Sequence, residues 1–301
     1  MKRANVVCAI IMAVGLLGRI DVAQAQVRPT KVQQGEGSPY ALIDTEVWDV
    51  PDPVSQRGYQ VFVGLPASYD KEPSRRYPVL FATDANYAFP VIREISRRLN
   101  VEHAQIADFI LVGLSYAKGE DGTQSRDRDY TPTPNGPRST PAGAVQGHGL
   151  AYQAYLRDRV MPFIAQRYRT DPRHALFLGH SYGALLGAQI LFTDPGMFSG
   201  YILGSPSFWY DKHHIFTMEA MYAARHRDLP AKVYMYVGEY ETNRFNRTND
   251  LVTDNRELEG RLEKRKYPHL VLKSDVLNDE DHVSVAPRGF THGLKYLLPA
   301  R

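Results

Sequence analysis

Short apolar runs alternate with amphipathic stretches along most of this chain. Residues 77–83 and 109–115 are apolar at nearly every position, the pattern of strands buried on both faces. Between them Val91, Ile92, Ile95 and Leu99 recur at helical spacing and predict a helix over 91–99. Residues 41–50 and 59–65 read as a pair of opening strands, broken by Pro51-Asp52-Pro53, where the prolines remove donors and fix the backbone. Residues 152–168 predict a helix, followed by the apolar strand Ala175-Leu176-Phe177-Leu178. Further strands are predicted at 200–203, 232–237 and 270–274, and helices at 216–225, 251–266 and 286–298.

Strands and helices in alternation argue for a mostly parallel sheet covered by helices on both faces, with reactive groups at the carboxyl ends of the strands. The expected fold class is α/β, of the α/β-hydrolase type. Residues 118–149 interrupt the alternation with a Gly- and Pro-rich excursion, too long for an idle connection and expected to cap the site. No internal repeat or low-complexity tract is evident.

Residues 1–25 have the pattern of a cleavable signal peptide: Lys2 and Arg3, an apolar stretch over 6–17, then Ala23-Gln24-Ala25. The apolar stretch is shorter than the roughly 20 residues a spanning helix needs, so no membrane span is expected in the mature form. Residues 26–38 are polar and read as a flexible leader, leaving 39–301 as one catalytic domain. The expected location is periplasmic or secreted. Cys8, the single cysteine, leaves with the signal peptide, which excludes disulfides, thiol catalysis and cysteine metal ligands from the mature chain. Formal charge is +3, of which Lys2, Arg3, Arg19 and Asp21 carry a net +2. The near-neutral remainder gives no electrostatic footprint for nucleic acid.

The most informative stretch is Gly179-His180-Ser181-Tyr182-Gly183, between the apolar strand and a helical run from Ala184. Gly-x-Ser-x-Gly between strand and helix is a nucleophile elbow, in which the serine takes a strained backbone conformation at a helix N-terminus. There the amides and the helix dipole face negative charge developing on a reacting carbonyl. The alternative is a glycine-containing turn. A serine nucleophile needs a histidine base, and the base a carboxylate to orient it. His282 follows the 270–274 strand and precedes the last helix, the place this fold gives the histidine; His180 lies inside the elbow, His269 starts a strand and His292 falls on the last helix. Of the carboxylates, Glu241 has the favoured spacing after the 232–237 strand, with Glu239 and Asp254 as alternatives. Oxyanion donors are expected from the backbone of Tyr182 and of Ala85, with Asn86 the alternative to Ala85. His213-His214 lacks a third ligand at a telling spacing, so neither metal nor other cofactor is expected.

The chain resembles the esterase family of α/β-hydrolases that includes esterase D and the trilactone esterases acting on enterobactin and salmochelin. The resemblance rests on Tyr77-Pro78-Val79-Leu80 with Asp84, residues 126–132 (Arg-Asp-Arg-Asp-Tyr-Thr-Pro), the elbow, Ser205-Pro206-Ser207-Phe208-Trp209, Gly238-Glu239-Tyr240-Glu241, and Asp281-His282. It departs at Ala85, where the family often has glycine. The resemblance implies a serine esterase acting through an acyl-enzyme on a siderophore trilactone, with either a Ser-His-Glu triad or a Ser-His dyad. General or carbohydrate esters (acetyl, feruloyl), acyl transfer, or a non-catalytic binding protein on the same scaffold are the alternatives. Trp209 is expected to stack on an aromatic acyl group or else to pack the core. Arg126 is expected to bind a substrate anion or to brace the excursion through Asp129. Tyr87 and Phe89 are expected to line the acyl side. The expected partner is a small-molecule ester.

Overall fold

The computed structural model describes Gly37 and residues 40–137, 143–245 and 248–300. The chain divides into residues 1–43 and residues 44–301, and the second unit holds the sheet. The expected signal peptide, and the leader apart from Gly37, lie outside the described residues.

Eight strands form one sheet: β1 (Thr45–Asp49), β2 (Gln60–Gly64), β3 (Tyr77–Ala82), β4 (Ile110–Leu114), β5 (Thr170–His180), β6 (Gly200–Gly204), β7 (Lys232–Gly238) and β8 (Val271–Leu277). Their order is β1-β2-β4-β3-β5-β6-β7-β8. The pairs β1–β2 and β2–β4 are antiparallel, and every other pair is parallel. This is the expected α/β-hydrolase arrangement, with the elbow strand β5 between β3 and β6. The first strand is shorter than its apolar run.

The helices are α1 (Ala85–Leu99), α2 (Gly122–Asp129), α3 (Gly149–Tyr155), α4 (Met161–Arg167), α5 (Tyr182–Thr193), α6 (Tyr210–Arg225), α7 (Leu251–Arg265) and α8 (Val285–Leu297). Phe81, Phe177, Tyr201, Leu203, Val233 and Met235 alternate onto one face of the sheet and share a core with α5 and α6. On the other face α1 and α8 pack together. The glycines of α8 let it close on the strands: a Cβ on Gly289 would lie 2.2 Å from the Tyr236 ring, and one on Gly293 2.8 Å from Ile202.

Beyond shifted ends, such as that of α6, which starts at Tyr210, three elements differ from the sequence expectation. The predicted 152–168 helix is one rod whose middle, Leu156–Val160, widens into a π-turn just before Pro162. Proline has no N–H to give the preceding turn, and a local change of register accommodates that loss. Helix α1 begins at Ala85, six residues before the predicted start, because Pro90 lies inside it and does not end it. The excursion contains α2, a mostly polar helix capped by Asp121, whose carboxylate accepts from the Thr123 N–H at 2.7 Å. Buried within it, Arg128 pairs with Asp129 at 2.8 Å and also with Glu120. Residues 138–142 of the excursion lie outside the described residues.

Candidate active site

Ser181 stands between β5 and α5 with φ 59° and ψ −118°, a conformation that costs an L-residue about 1–3 kcal/mol. The strain is held by its surroundings: its N–H donates to the Gly204 carbonyl at 2.8 Å, and its carbonyl accepts from Leu185 at 3.0 Å. Both motif glycines are steric requirements. A Cβ on Gly179 would sit 2.2 Å from the Gly183 backbone, and one on Gly183 would sit 2.2 Å from Thr83 Oγ1. The elbow is thus pressed against the end of β3. The Ser181 hydroxyl shares a hydrogen bond of 3.2 Å with the buried Ser207 hydroxyl.

The structure brings Glu241 to His282, with Oε2 2.6 Å from Nδ1. Glu241 is 2 % exposed. Its other oxygen accepts from the Ser205 hydroxyl at 2.6 Å and from the Gly238 N–H at 2.8 Å, so the buried carboxylate is satisfied on both sides. The same arrangement fixes the tautomer that leaves Nε2 of a neutral His282 free of its proton. Glu239 is turned outward and accepts from the Asp279 N–H at 2.9 Å. Asp254 lies on α7 and pairs with His213 at 2.9 Å. Neither of the alternative acids meets His282.

By sequence His180 is only a residue of the elbow, yet it contacts the loop of the base. Its Nε2 donates to the backbone carbonyl of His282 at 2.9 Å, while Nδ1 lies 3.5 Å from the Tyr236 hydroxyl. Burial, with the neighbouring His282 adding to it, pushes the His180 pKa down to about 3, so the ring stays neutral.

Ala85 and Tyr182 are the first residues of α1 and α5, whose leading amides lack acceptors within their own helices. Both helices start at the carboxyl ends of the neighbouring strands β3 and β5, so these two amides belong to one corner of the site. Asn86 is the next amide of α1. Beside this corner lies a cavity of about 220 Å³ lined by Thr83, Asp84, Tyr87, Tyr116, Arg126, His180 and Phe290, among others. Tyr87 is 45 % exposed on its wall. Phe89, in contrast, points into the sheet, 5.7 Å from the ring of Phe62 and against Gly113.

Arg126 lines the cavity, but its charge is engaged by Asp84, with Nε 2.7 Å from Oδ1 and Nη2 3.3 Å from Oδ2. The expected brace to Asp129 is made by Arg128 instead, because α2 turns successive residues to different sides. Trp209 is partly buried just before α6, with its ring 6.0 Å from that of Tyr182. The residues that follow it, Asp211, Lys212 and His213, all have positive φ. Asp211 ties this left-handed turn to the excursion, accepting from Thr133 Oγ1 at 2.6 Å and from Asn135 Nδ2 at 3.2 Å. Among the described residues no cluster of three or more metal-binding side chains occurs, and no helix is long and apolar enough to cross a membrane.

Sequence reasoning missed Ser205, Ser207, Tyr116 and Tyr130 as parts of this site. The signals for them were the two segments resembling the esterases, residues 126–132 with Tyr130 and Ser205-Pro206-Ser207; Tyr116 carried none.

Comparison with known proteins agrees with this fold. The Putative esterase family matches residues 54–275. Ferri-bacillibactin esterase BesA of Bacillus subtilis is 27% identical over 277 residues, 88% of this chain and 93% of that protein. Among solved structures, the BES protein of Bacillus cereus superposes with a TM-score of 0.75 at 22% identity, covering 88% of this chain and 100% of that one. An IroE-like serine hydrolase of Shewanella oneidensis gives 0.73 at 22%, covering 84% and 80%. The chain belongs to the Putative esterase family and is a serine ester hydrolase on the α/β-hydrolase fold.

Proposed function

We propose that the protein hydrolyses the ester bonds of siderophores, the trilactone class above all, through an acyl-enzyme on Ser181. The observation that carries the mechanism is the 2.6 Å contact of the buried Glu241 with His282 Nδ1, beside a serine held at positive φ. In this reading His282 Nε2 takes the Ser181 proton as Oγ adds to the ester carbonyl carbon. The oxyanion is received by the amides of Tyr182 and Ala85, and Glu241 stabilises the imidazolium. Collapse of the intermediate breaks the ester C–O bond, and the alcohol leaves with the proton from His282. Water, deprotonated by the same histidine, then releases the acid and restores Ser181.

The substrate class draws its support from BesA, whose match spans 93% of that protein's length. The site's aromatic wall, with Tyr87 and Phe290 in the cavity and Trp209 beside Tyr182, suits aryl acyl groups. We place the site of action in the periplasm or outside the cell, on the strength of the signal-like residues 1–25, and residues 118–149 as a cap tied to α6 through Asp211.

The test is a competition panel of enterobactin, feruloylated and acetylated sugars and short p-nitrophenyl esters, ranked by kcat/KM. Enterobactin is expected to lead. A sugar or short acyl ester ahead of it by more than about tenfold, roughly 1.4 kcal/mol, overturns the siderophore assignment. Replacing Ser181 by Ala is expected to abolish turnover and fluorophosphonate labelling; retained turnover overturns the nucleophile.

A further inference from the structure

Asp84 occupies the N-cap of α1 and does not cap it. An aspartate there ordinarily adopts an extended backbone and accepts from the second or third amide of the helix. Asp84 instead sits at φ 55°, ψ 43°, and its side chain makes no capping bond. Its carboxylate is drawn away by Arg126, by Nε at 2.7 Å and Nη2 at 3.3 Å, and by the Tyr116 hydroxyl at 2.8 Å. The Tyr130 hydroxyl accepts from its N–H at 3.4 Å. Of the first-turn amides, those of Tyr87 and Ala88 donate to the Asp84 carbonyl at 2.9 and 2.8 Å. That of Asn86, the second amide, is the donor that a normally placed aspartate would take, and the Ala85 amide ahead of it is left to the site.

Arg126 reaches the second half of the same corner as well. Its guanidinium carbon lies 5.7 Å from the centre of the Tyr182 ring, the residue that follows Ser181, and 5.9 Å from that of Tyr130. A capping Asp84 would do harm in two ways. Its extended backbone would turn the Ala85 N–H to a different direction, and its carboxylate, drawn over the first turn, would oppose the charge that develops on the substrate oxygen. The bidentate guanidinium removes both effects, and its planar fork fixes the direction in which the carboxylate is held.

We propose that Arg126 is a positioning residue of the oxyanion hole, holding Asp84 in its left-handed, non-capping state so that the Ala85 amide faces the reacting carbonyl. This replaces the expectation that Arg126 binds a substrate anion. It rests on the reading of Ser181 as the nucleophile, which the Ser181→Ala variant tests separately.

The experiment compares Arg126→Gln, Arg126→Lys, Asp84→Asn and the double variant Arg126→Gln/Asp84→Asn, using p-nitrophenyl butyrate, an uncharged substrate with no anion to bind. Arg126→Gln is expected to lower kcat about 100-fold, the scale of a lost oxyanion donor, with KM within about threefold. The Ki of phenylboronic acid, which mimics the tetrahedral state, is expected to rise in parallel. Removing the carboxylate's charge in the double variant is expected to restore at least about tenfold of the lost kcat, a coupling that separate roles would not give. Arg126→Lys keeps the charge without the fork and is expected to fall between wild type and Arg126→Gln; it also serves where the Gln variant fails to fold. A rise in KM at unchanged kcat in either Arg126 variant, or a double variant no faster than Arg126→Gln, overturns the proposal.

Discussion

His180, the residue before the nucleophile, donates from Nε2 to the backbone carbonyl of His282 at 2.9 Å, joining the elbow at the end of β5 to the loop beyond β8. The base is therefore fixed from two directions, its ring by Glu241 and its main chain by His180. A protonated ring at position 180 would keep the Nε2 bond to His282 but would bury a charge and could no longer accept at Nδ1 from the Tyr236 hydroxyl.

That requirement gives a pH dependence of stability. The folded pKa of His180 is about 3, against 6.5 for the free side chain, so between those values the unfolded chain binds the extra proton. Stability contributed by this group is complete above about pH 6.5 and is lost as pH falls toward 3, with a limiting slope of about 1.4 kcal/mol per pH unit. His180→Gln, which retains a donor and cannot titrate, is expected to show a shallower acid decline in urea unfolding at pH 4, 5 and 7. Parallel curves for the two proteins would count against the assignment.

The acid is tested by ordering three variants. Glu241→Gln is expected to lower kcat by about 10²–10⁴-fold with little change in KM, because the imidazolium loses its counter-charge and the ring its orienting partner. Glu239→Gln and Asp254→Asn are expected to stay within about twofold of wild type, since neither carboxylate meets His282. Full activity in Glu241→Gln would favour a Ser-His dyad.

Gly204 ends β6 where the Tyr236 ring crosses it, and a Cβ there would lie 2.1 Å from the Tyr236 hydroxyl. Gly204→Ala is expected to cost about 1–3 kcal/mol of stability, the range for overpacking a core. Because the Gly204 carbonyl also accepts from the Ser181 N–H, kcat is expected to fall with it. A melting temperature unchanged in thermal unfolding would contradict this.

Lys212 is exposed in the middle of the left-handed turn, at φ 53° and ψ 44°. Glycine adopts this conformation without the steric cost an L-side chain carries, about 1–2 kcal/mol. Lys212→Gly is therefore expected to raise stability by up to about 1 kcal/mol once the extra freedom of the unfolded chain is counted. A lower unfolding midpoint would show that the turn is not strained as described.

Much of the fold was legible because buried parallel strands read as continuous apolar runs and helices carry their own period. The elbow was legible for a related reason: Gly179 and Gly183 answer to close backbone contacts, which leave a mark in the residue type. Position in the order of strands singled out His282, and spacing favoured Glu241 over Glu239 and Asp254; His282 and Glu241 do meet. What stayed hidden depends on direction more than on residue type. The sequence offers Arg126 for the brace to Asp129, and only the phase of α2 sends Arg126 to Asp84 and Arg128 to Asp129. Phe89 follows Tyr87 closely, yet the turn of α1 puts one ring in the core and the other on the cavity wall. The start of α1 stayed hidden because the apolar period becomes regular only from Val91, while Pro90 lies inside the helix without ending it.

Leu80 pairs with Leu176 where β3 meets β5, so the strands bearing the oxyanion turn and the elbow are neighbours separated by about 95 residues of chain. Closing a loop of that length costs about 4 kcal/mol of chain entropy before any contact offsets it, and such distant pairings make folding slow. During synthesis at roughly 5–20 residues per second, β3 waits about 5–20 s for its partner. Through that interval one edge of the sheet's centre is unpaired and apolar, open to other nascent chains. The long insertion that shapes the site supplies about a third of that interval, and so lengthens the exposure of the growing polypeptide to aggregation.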